Sequence, residues 1–156
     1  MSQPITELRR VNVRAIIWKD GKLLAVKHKT STGEESPYWA VPGGGLDPME
    51  SIEDGLQREI LEETGVVAKP GKLLFIQQFP SKREGRDEEL ELFFFVDGSD
   101  AYQNIDLTKT SHGDAEIARM EFIDPTSEQI LPAFLSTIDI ARYITEDQPV
   151  YISSQL

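Results

Sequence analysis

An α/β fold, with helices lying on the faces of a mixed β-sheet, is what this sequence predicts, and three features carry the expectation. Runs rich in β-branched and aliphatic residues recur along the chain. Two segments among them space their apolar residues in a helical rather than alternating way, and no internal repeat, low-complexity tract or linker interrupts the series. At 156 residues the chain is expected to form a single domain over 1–156 with a real core.

Val11 to Trp18 is the first strand. Asp20-Gly21 stands between it and Leu23 to Lys29, and an Asp-Gly between two such runs predicts a hairpin. Thr30 to Pro37 is polar and turn-rich and reads as a loop, followed by a short strand at Tyr38 to Val41 that ends at Pro42 and three glycines. Ser51 opens a helix: its hydroxyl can cap the first turn, Asp54 stands where a capping box puts its acid, and Thr64-Gly65 supplies the stop. Val66 to Pro80 and Leu90 to Val96 read as strands on either side of a charged loop, Ser81 to Glu89, and Ile117 to Ile123 as another strand. Leu135, Ile138, Ile140, Ala141 and Ile144 place a second helix over Pro132 to Ile144.

Composition narrows the function classes. With 27 acidic and 16 basic residues the net charge is -11, which disfavours general nucleic-acid binding. No run is long and apolar enough for a membrane span, and Met1 to Arg10 has no secretory apolar stretch, so a cytoplasmic protein is expected. The absence of cysteine excludes disulfides, a thiolate metal site and a cysteine nucleophile, leaving oxygen donors or His28 and His112 for any metal.

The acid is concentrated between Gly44 and Val66, where seven carboxylates face a single Arg58. On a helical wheel Ile52, Leu56 and Ile60 make a narrow core-facing stripe, while Glu59, Glu62 and Glu63 share a neighbouring face, with Glu63 on the stripe itself. Like charges three and four residues apart repel, and a desolvated carboxylate is costly unless a cation neutralises it; a divalent metal would do so. Gly55, in the middle of the acidic stripe, costs roughly 1 kcal/mol of helix propensity, and the functional reading is that it leaves room beside the carboxylates. The cluster Pro42-Gly43-Gly44-Gly45 lets backbone approach a ligand, with a carbonyl such as that of Gly44 available to a metal.

Gly44, Glu50 and then Arg58-Glu59-Ile60-Leu61-Glu62-Glu63-Thr64-Gly65-Val66 together meet every fixed position of the pattern G-x5-E-x7-R-E-U-x-E-E-x-G-U, where U is aliphatic. The string resembles the Nudix box; Met49 and Gly55 replace the Gly and Ala of many members at positions the pattern leaves free. The resemblance implies an α/β/α sandwich that uses Mg2+ or Mn2+ to hydrolyse a nucleoside diphosphate linked to another moiety, ADP-ribose-like or a (deoxy)nucleoside triphosphate. Carried over by position, it makes Glu59, Glu62 and Glu63 metal ligands, one of them also able to take a proton from water. Arg58 would hold the carboxylates and Glu50 would reach toward the metal shell or Arg58.

Outside the box the expectations rest on placement. Asp87, Glu88, Glu89, Glu91 and Glu116 are candidates for a further acid, Glu91 being preferred as general base because it starts a strand and Glu116 being its rival from a later segment. Lys27 and Lys29 point the same way on a strand and can meet phosphate; Trp39, Phe79 and Phe93 can stack on a base or fill the core. Pro80 falls near the place where some ADP-ribose hydrolases of the family carry proline. A non-catalytic Nudix-like nucleotide sensor is the alternative, although such sensors typically lose box carboxylates and carry a DNA-binding segment. The isoprenoid isomerase branch needs a cysteine. A small nucleotide is the expected partner, and exposed strand edges would allow a homodimer.

Overall fold

The computed structural model describes residues 9–156. Eight strands and three α-helical segments follow in the order β1 (Arg9–Ile16), β2 (Trp18–Lys19), β3 (Lys22–His28), β4 (Gly43–Gly45), α1 (Ile52–Thr64), β5 (Pro70–Pro80), β6 (Glu88–Val96), α2 (Gly113–Glu116), β7 (Ile117–Ile123), α3 (Ile140–Thr145) and β8 (Tyr151–Ser154). Five strands form a mixed sheet in the order β4-β1-β6-β5-β8, with β1 parallel to β6 and antiparallel to β4. An antiparallel sheet, β2-β3-β7, stands beside it.

Strand alternation sends side chains to opposite faces and so builds two cores. Val13, Ala15, Ile17 and Leu24 pack with Leu56 and Ile60 of α1 and with Tyr102. Ile16, Leu23 and Ala25 pack with Phe75, Phe93, Leu135 and Ile140 on the other side. Burying Leu56 and Ile60 completely is worth about 1.5–3 kcal/mol each, enough to fix α1 on the sheet. Opposite, the rings of Phe75, Phe93, Phe134, Tyr143 and Tyr151 meet at tilted or edge-on angles with centroids 5.1–6.2 Å apart, which ties the C-terminal segments to the sheet. Helical layers therefore cover both faces of a mixed sheet.

Several elements depart from the sequence expectation. The Asp20-Gly21 turn is present, both residues having positive φ, but the hairpin it closes is two pairs deep, because β1 leaves to join the five-stranded sheet while β3 pairs with β7. Tyr38 to Val41 makes only single bridges, Trp39 to Ile130 and Ala40 to Val26. The helix over Pro132 to Ile144 is broken into a 3-10 turn, Ala133–Ser136, and α3. At the break the Ser136 and Thr137 hydroxyls bond back to the carbonyls of Ala133 and Phe134, and Asp139 caps the new helix by accepting from the Arg142 N–H. Leu135 and Ile140 still reach the core, which is why the spacing looked continuous. The apolar stripe of α1 stops short as well: Ile52 is 42% exposed. β8 had no counterpart in the sequence reading.

Candidate active site

Two local devices fix the acidic helix against the glycine strand. Ser51 Oγ accepts from the Asp54 N–H at 3.1 Å, and Gly65 closes α1 in the left-handed conformation while donating to the Leu61 carbonyl. β4 lies along β1 with Gly43 opposite Arg14, Gly44 opposite Val13 and Gly45 opposite Asn12. Gly43 has φ 142, and a Cβ there would stand 2.1 Å from the Val13 carbonyl oxygen, so only glycine fits. At Gly44 a Cβ would stand 2.5 Å from Glu59 Oε2; the missing side chain is the space the Glu59 carboxylate occupies.

Arg58 organises the box. Its guanidinium donates to Glu50 at 2.7 and 2.8 Å, to Glu59 at 3.0 Å, to Glu62 at 3.4 Å and to the Gly45 carbonyl at 3.1 Å. The Arg58 bond holds the Glu50 carboxyl down at about 2, and Glu50 in turn accepts from the Asp47 N–H. Glu50 thus reaches Arg58, one of its two expected destinations. Burial raises the Glu59 carboxyl despite Arg58 beside it.

Glu63 differs. It is 3% exposed, makes no ion pair with any described residue, and accepts a bond from the Gly43 N–H at 3.2 Å. Burial pushes its carboxyl up to about 8, with Arg14 pulling the other way and Glu59 adding to the rise. Among the described residues no three acids or histidines converge at ligand spacing, since Arg58 holds Glu59 and Glu62 while Glu63 turns to Gly43. The donors themselves, three carboxylates beside glycine carbonyls, are the oxygen set a hard divalent cation takes, and the buried Glu63 is the member with no cation of its own.

These groups open on a cleft of about 620 Å³ lined by Arg10, Arg14, His28, Lys29, Gly43 to Gly45, Glu59, Glu62, Glu63, Arg83, His112 and Glu116. It therefore gathers the box acids, Lys29 and Glu116. His112, held by its N–H to the Glu62 carbonyl, puts Nδ1 3.6 Å from Glu62 Oε2, and Glu116 donates its own N–H to the His112 carbonyl while accepting from the Lys29 N–H.

Other predicted residues lie elsewhere. Glu91 is 5% exposed and engaged on every side: Arg14 Nε at 2.9 Å, Asn12 Nδ2 at 3.1 Å and Gln77 Nε2 at 2.6 Å. It does not line the cleft, because its strand position turns it into the sheet, where it holds Arg14. Arg14 Nη1 donates on to the Gly43 carbonyl at 3.2 Å. Lys27 pairs with Glu35 at 3.2 Å and stands over Trp39, away from the cleft. Glu88 pairs with Arg9, while Glu89 accepts from Asn12 and Ser81. Trp39 and Phe93 are core residues. Nor does Gly55 leave room for a ligand: a Cβ there would meet Leu46 Cδ2 at 2.2 Å and Glu50 Oε1 at 2.9 Å, so the space belongs to those side chains. Arg10, Arg14 and Arg83 were missed. The first two were legible in principle, because Arg10, Asn12 and Arg14 alternate on one face of β1.

Comparison with known proteins bears on the family and the fold. The chain is 36% identical over 87 residues to the ADP-ribose pyrophosphatase of Methanocaldococcus jannaschii, covering 56% of this chain and 50% of that protein. It is 32% identical over 93 residues to the nucleoside triphosphatase NudI of Escherichia coli K12, covering 56% of this chain and 66% of the relative. The matched stretch thus spans half to two thirds of these relatives. In fold the chain is similar to the MutT protein of Methanosarcina mazei Go1 (TM-score 0.63, 20% identity, 93% of this chain and 99% of the other) and to a UDP-X diphosphatase (TM-score 0.64, 21% identity, 94% and 68%). A sequence model of the NUDIX domain matches residues 8–139, most of the length, and the chain belongs to the Nudix family.

Proposed function

We propose that this chain is a divalent-metal-dependent pyrophosphohydrolase that cleaves a nucleoside diphosphate linked to another moiety. The observation that carries the reading is Glu63: a buried carboxylate that makes no ion pair with any described residue, beside Glu59 and Glu62, at a cleft whose other walls bring Arg10, Arg14, Lys29 and Arg83. A fold retains such a group at a cost unless a ligand compensates it. Glu59, Glu62 and Glu63, with the Gly44 carbonyl, would hold Mg2+ or Mn2+, and the ion would supply neutralisation of phosphate oxygens and Lewis acidity toward water. Arg58, anchored by Glu50, keeps Glu59 and Glu62 in place. Glu91 acts through Arg14 on Gly43 and is a positioning residue in this reading, whereas Glu116, which lines the cleft, takes the part of proton acceptor from the attacking water. Lys29 donates to the Asp114 carbonyl and stands ready at the cleft wall for phosphate.

The names borne by the relatives, an ADP-ribose pyrophosphatase and a nucleoside triphosphatase, support both substrate classes as first choices. The test is a panel of these compounds with Mg2+ and with Mn2+ in isotopically labelled water, which identifies the phosphorus attacked. Hydrolysis of at least one compound is expected, with loss of turnover by about a hundredfold or more in Glu62→Gln and Glu63→Gln. A wild-type chain inert toward the whole panel, or variants with full turnover at saturating metal, would overturn the reading.

A further inference from the structure

In the pyrophosphohydrolase reading, the carboxylates of the cleft would take two linked phosphates and their metal. The same cleft carries a group outside the box that no box residue engages. Arg10 sits on β1, two residues before Asn12, with its guanidinium across β4: a Cβ on Gly45 would stand 2.9 Å from both Nε and Nη2. The third glycine of the cluster is thus the space occupied by an arginine head group. That head group makes no hydrogen bond or ion pair with any described residue, although Arg10 is one of the less exposed cations of a chain with 27 acids. Its neighbours differ in this respect: Arg14 is committed to Glu91 at 2.9 Å and Arg58 to Glu50 at 2.7 Å.

Arg83 comes to the same place from the loop between β5 and β6, its only ion pair among the described residues a long one to Glu89 at 3.7 Å. Arg10 and Arg83 line both the cleft described above and an adjoining hollow of about 610 Å³, bounded also by Gly45, Leu46, Asp47, Pro48 and Glu59. Burial first, and then the proximity of Arg83, weakens the hold of Arg10 on its proton, against the pull of Glu89 and Glu59. A planar guanidinium with free donors and a second cation beside it is the donor set for a phosphoryl group, which both can grip by charge-assisted bonds.

We propose that Arg10 and Arg83 form an anion subsite for a phosphoryl group beyond the pair cleaved at the carboxylate cluster, so that the chain favours a nucleoside triphosphate over a diphosphate ending in a neutral sugar. The preference for substrate rests on the pyrophosphohydrolase reading; the subsite does not. Binding of inorganic tripolyphosphate, followed by calorimetry in the presence of EDTA, separates the two.

The wild-type chain should bind tripolyphosphate, and Arg10→Ala and Arg83→Ala should each weaken binding by about tenfold or more. Arg119→Ala, whose parent residue pairs with Glu35 away from the cleft, should leave it unchanged. Arg10→Lys keeps the charge without the fork and should be intermediate; with Arg83→Ala it carries the test should Arg10→Ala fail to fold. In turnover, Arg10→Ala should lower kcat/KM for a nucleoside triphosphate by about tenfold or more and for ADP-ribose by less than about threefold. A wild-type chain that does not bind tripolyphosphate, or cleft variants that bind it as tightly as wild type, overturns the subsite. Equal losses on both substrates overturn the preference. If binding behaves as expected but neither compound is hydrolysed, the pyrophosphohydrolase reading falls while the subsite stands.

Discussion

Glu63 offers the most direct measurement of what the fold gives up to keep its acidic helix. Its carboxyl is raised from 4.5 to about 8, chiefly by burial. Between these values the unfolded chain has released the proton and the metal-free fold retains it, so the unfolded state binds fewer protons and stability falls as pH rises. At 1.36 kcal/mol per unit, the roughly 2.5 units between the ordinary carboxyl value and neutrality correspond to about 3 kcal/mol. Glu63→Gln removes the titration and keeps the shape. In EDTA, urea unfolding from about pH 5 to pH 8 should show wild type losing stability relative to the variant, the gap opening to about 3 kcal/mol near neutrality. Glu59, raised in the same direction, slopes both curves alike and cancels in the comparison. Saturating Mg2+ should then restore wild type more than the variant, because binding to the folded state stabilises it by mass action. A gap that stays constant within about 0.5 kcal/mol across the range would refute the claim that Glu63 is held without a compensating charge.

Three further outcomes separate the roles of neighbouring residues. Glu91→Gln should cost about 3 kcal/mol of stability by leaving Arg14 unpaired inside the sheet, whereas Glu116→Gln should leave the melting temperature nearly unchanged and lower turnover by about a hundred- to ten-thousandfold; the reverse pattern would return the general-base role to Glu91. Gly44→Ala puts a methyl 2.5 Å from the end of the flexible Glu59 side chain, so stability should change by less than about 1 kcal/mol while Mg2+ affinity, measured by calorimetry, falls about tenfold. Gly43→Ala collides instead with backbone at a positive φ and should cost about 3 kcal/mol or more in chemical denaturation.

How much of this was legible in the sequence depends on the range of the interaction concerned. The caps of α1, the burial of Leu56 and Ile60 and the shared face of Glu59, Glu62 and Glu63 are local consequences of helical geometry, and spacing alone predicts them. Gly55 shows the limit: the wheel places it correctly beside the acids, but only the tertiary packing reveals that Leu46 and Glu50 fill the gap. Glu91 fails for the same reason. It lies in β6 as expected, but inside the strand, which begins at Glu88, rather than at its start, and which face meets Arg14 and Asn12 depends on the β1–β6 register, a pairing between segments far apart in the chain. The broken C-terminal helix is a third case, where Ser136, Thr137 and Asp139 compete locally with a continuous helix that apolar spacing alone would favour.

In the reading proposed above, it is the placement of charge that would let so acidic a chain receive a polyanion. Two of the cations near the site are spent internally: Arg58 on Glu50, Glu59 and Glu62, and Arg14 on Glu91. Among the described residues Glu63, on the acidic helix, and Arg10, beside Gly45, make no ion pair. Each is costly alone. A ligand that brings positive charge to the first and negative charge to the second relieves both, and a metal-bound polyphosphate carries its charges in that order. In that reading, polarity along the cleft, rather than net charge, would set the orientation of the substrate. Exchanging the two ends through Glu63→Gln with Arg10→Ala should therefore remove metal and polyphosphate affinity by separable amounts: the first variant lowers Mg2+ affinity alone, the second tripolyphosphate affinity alone, and strong coupling in the metal-free double variant would show that the two ends are not independent.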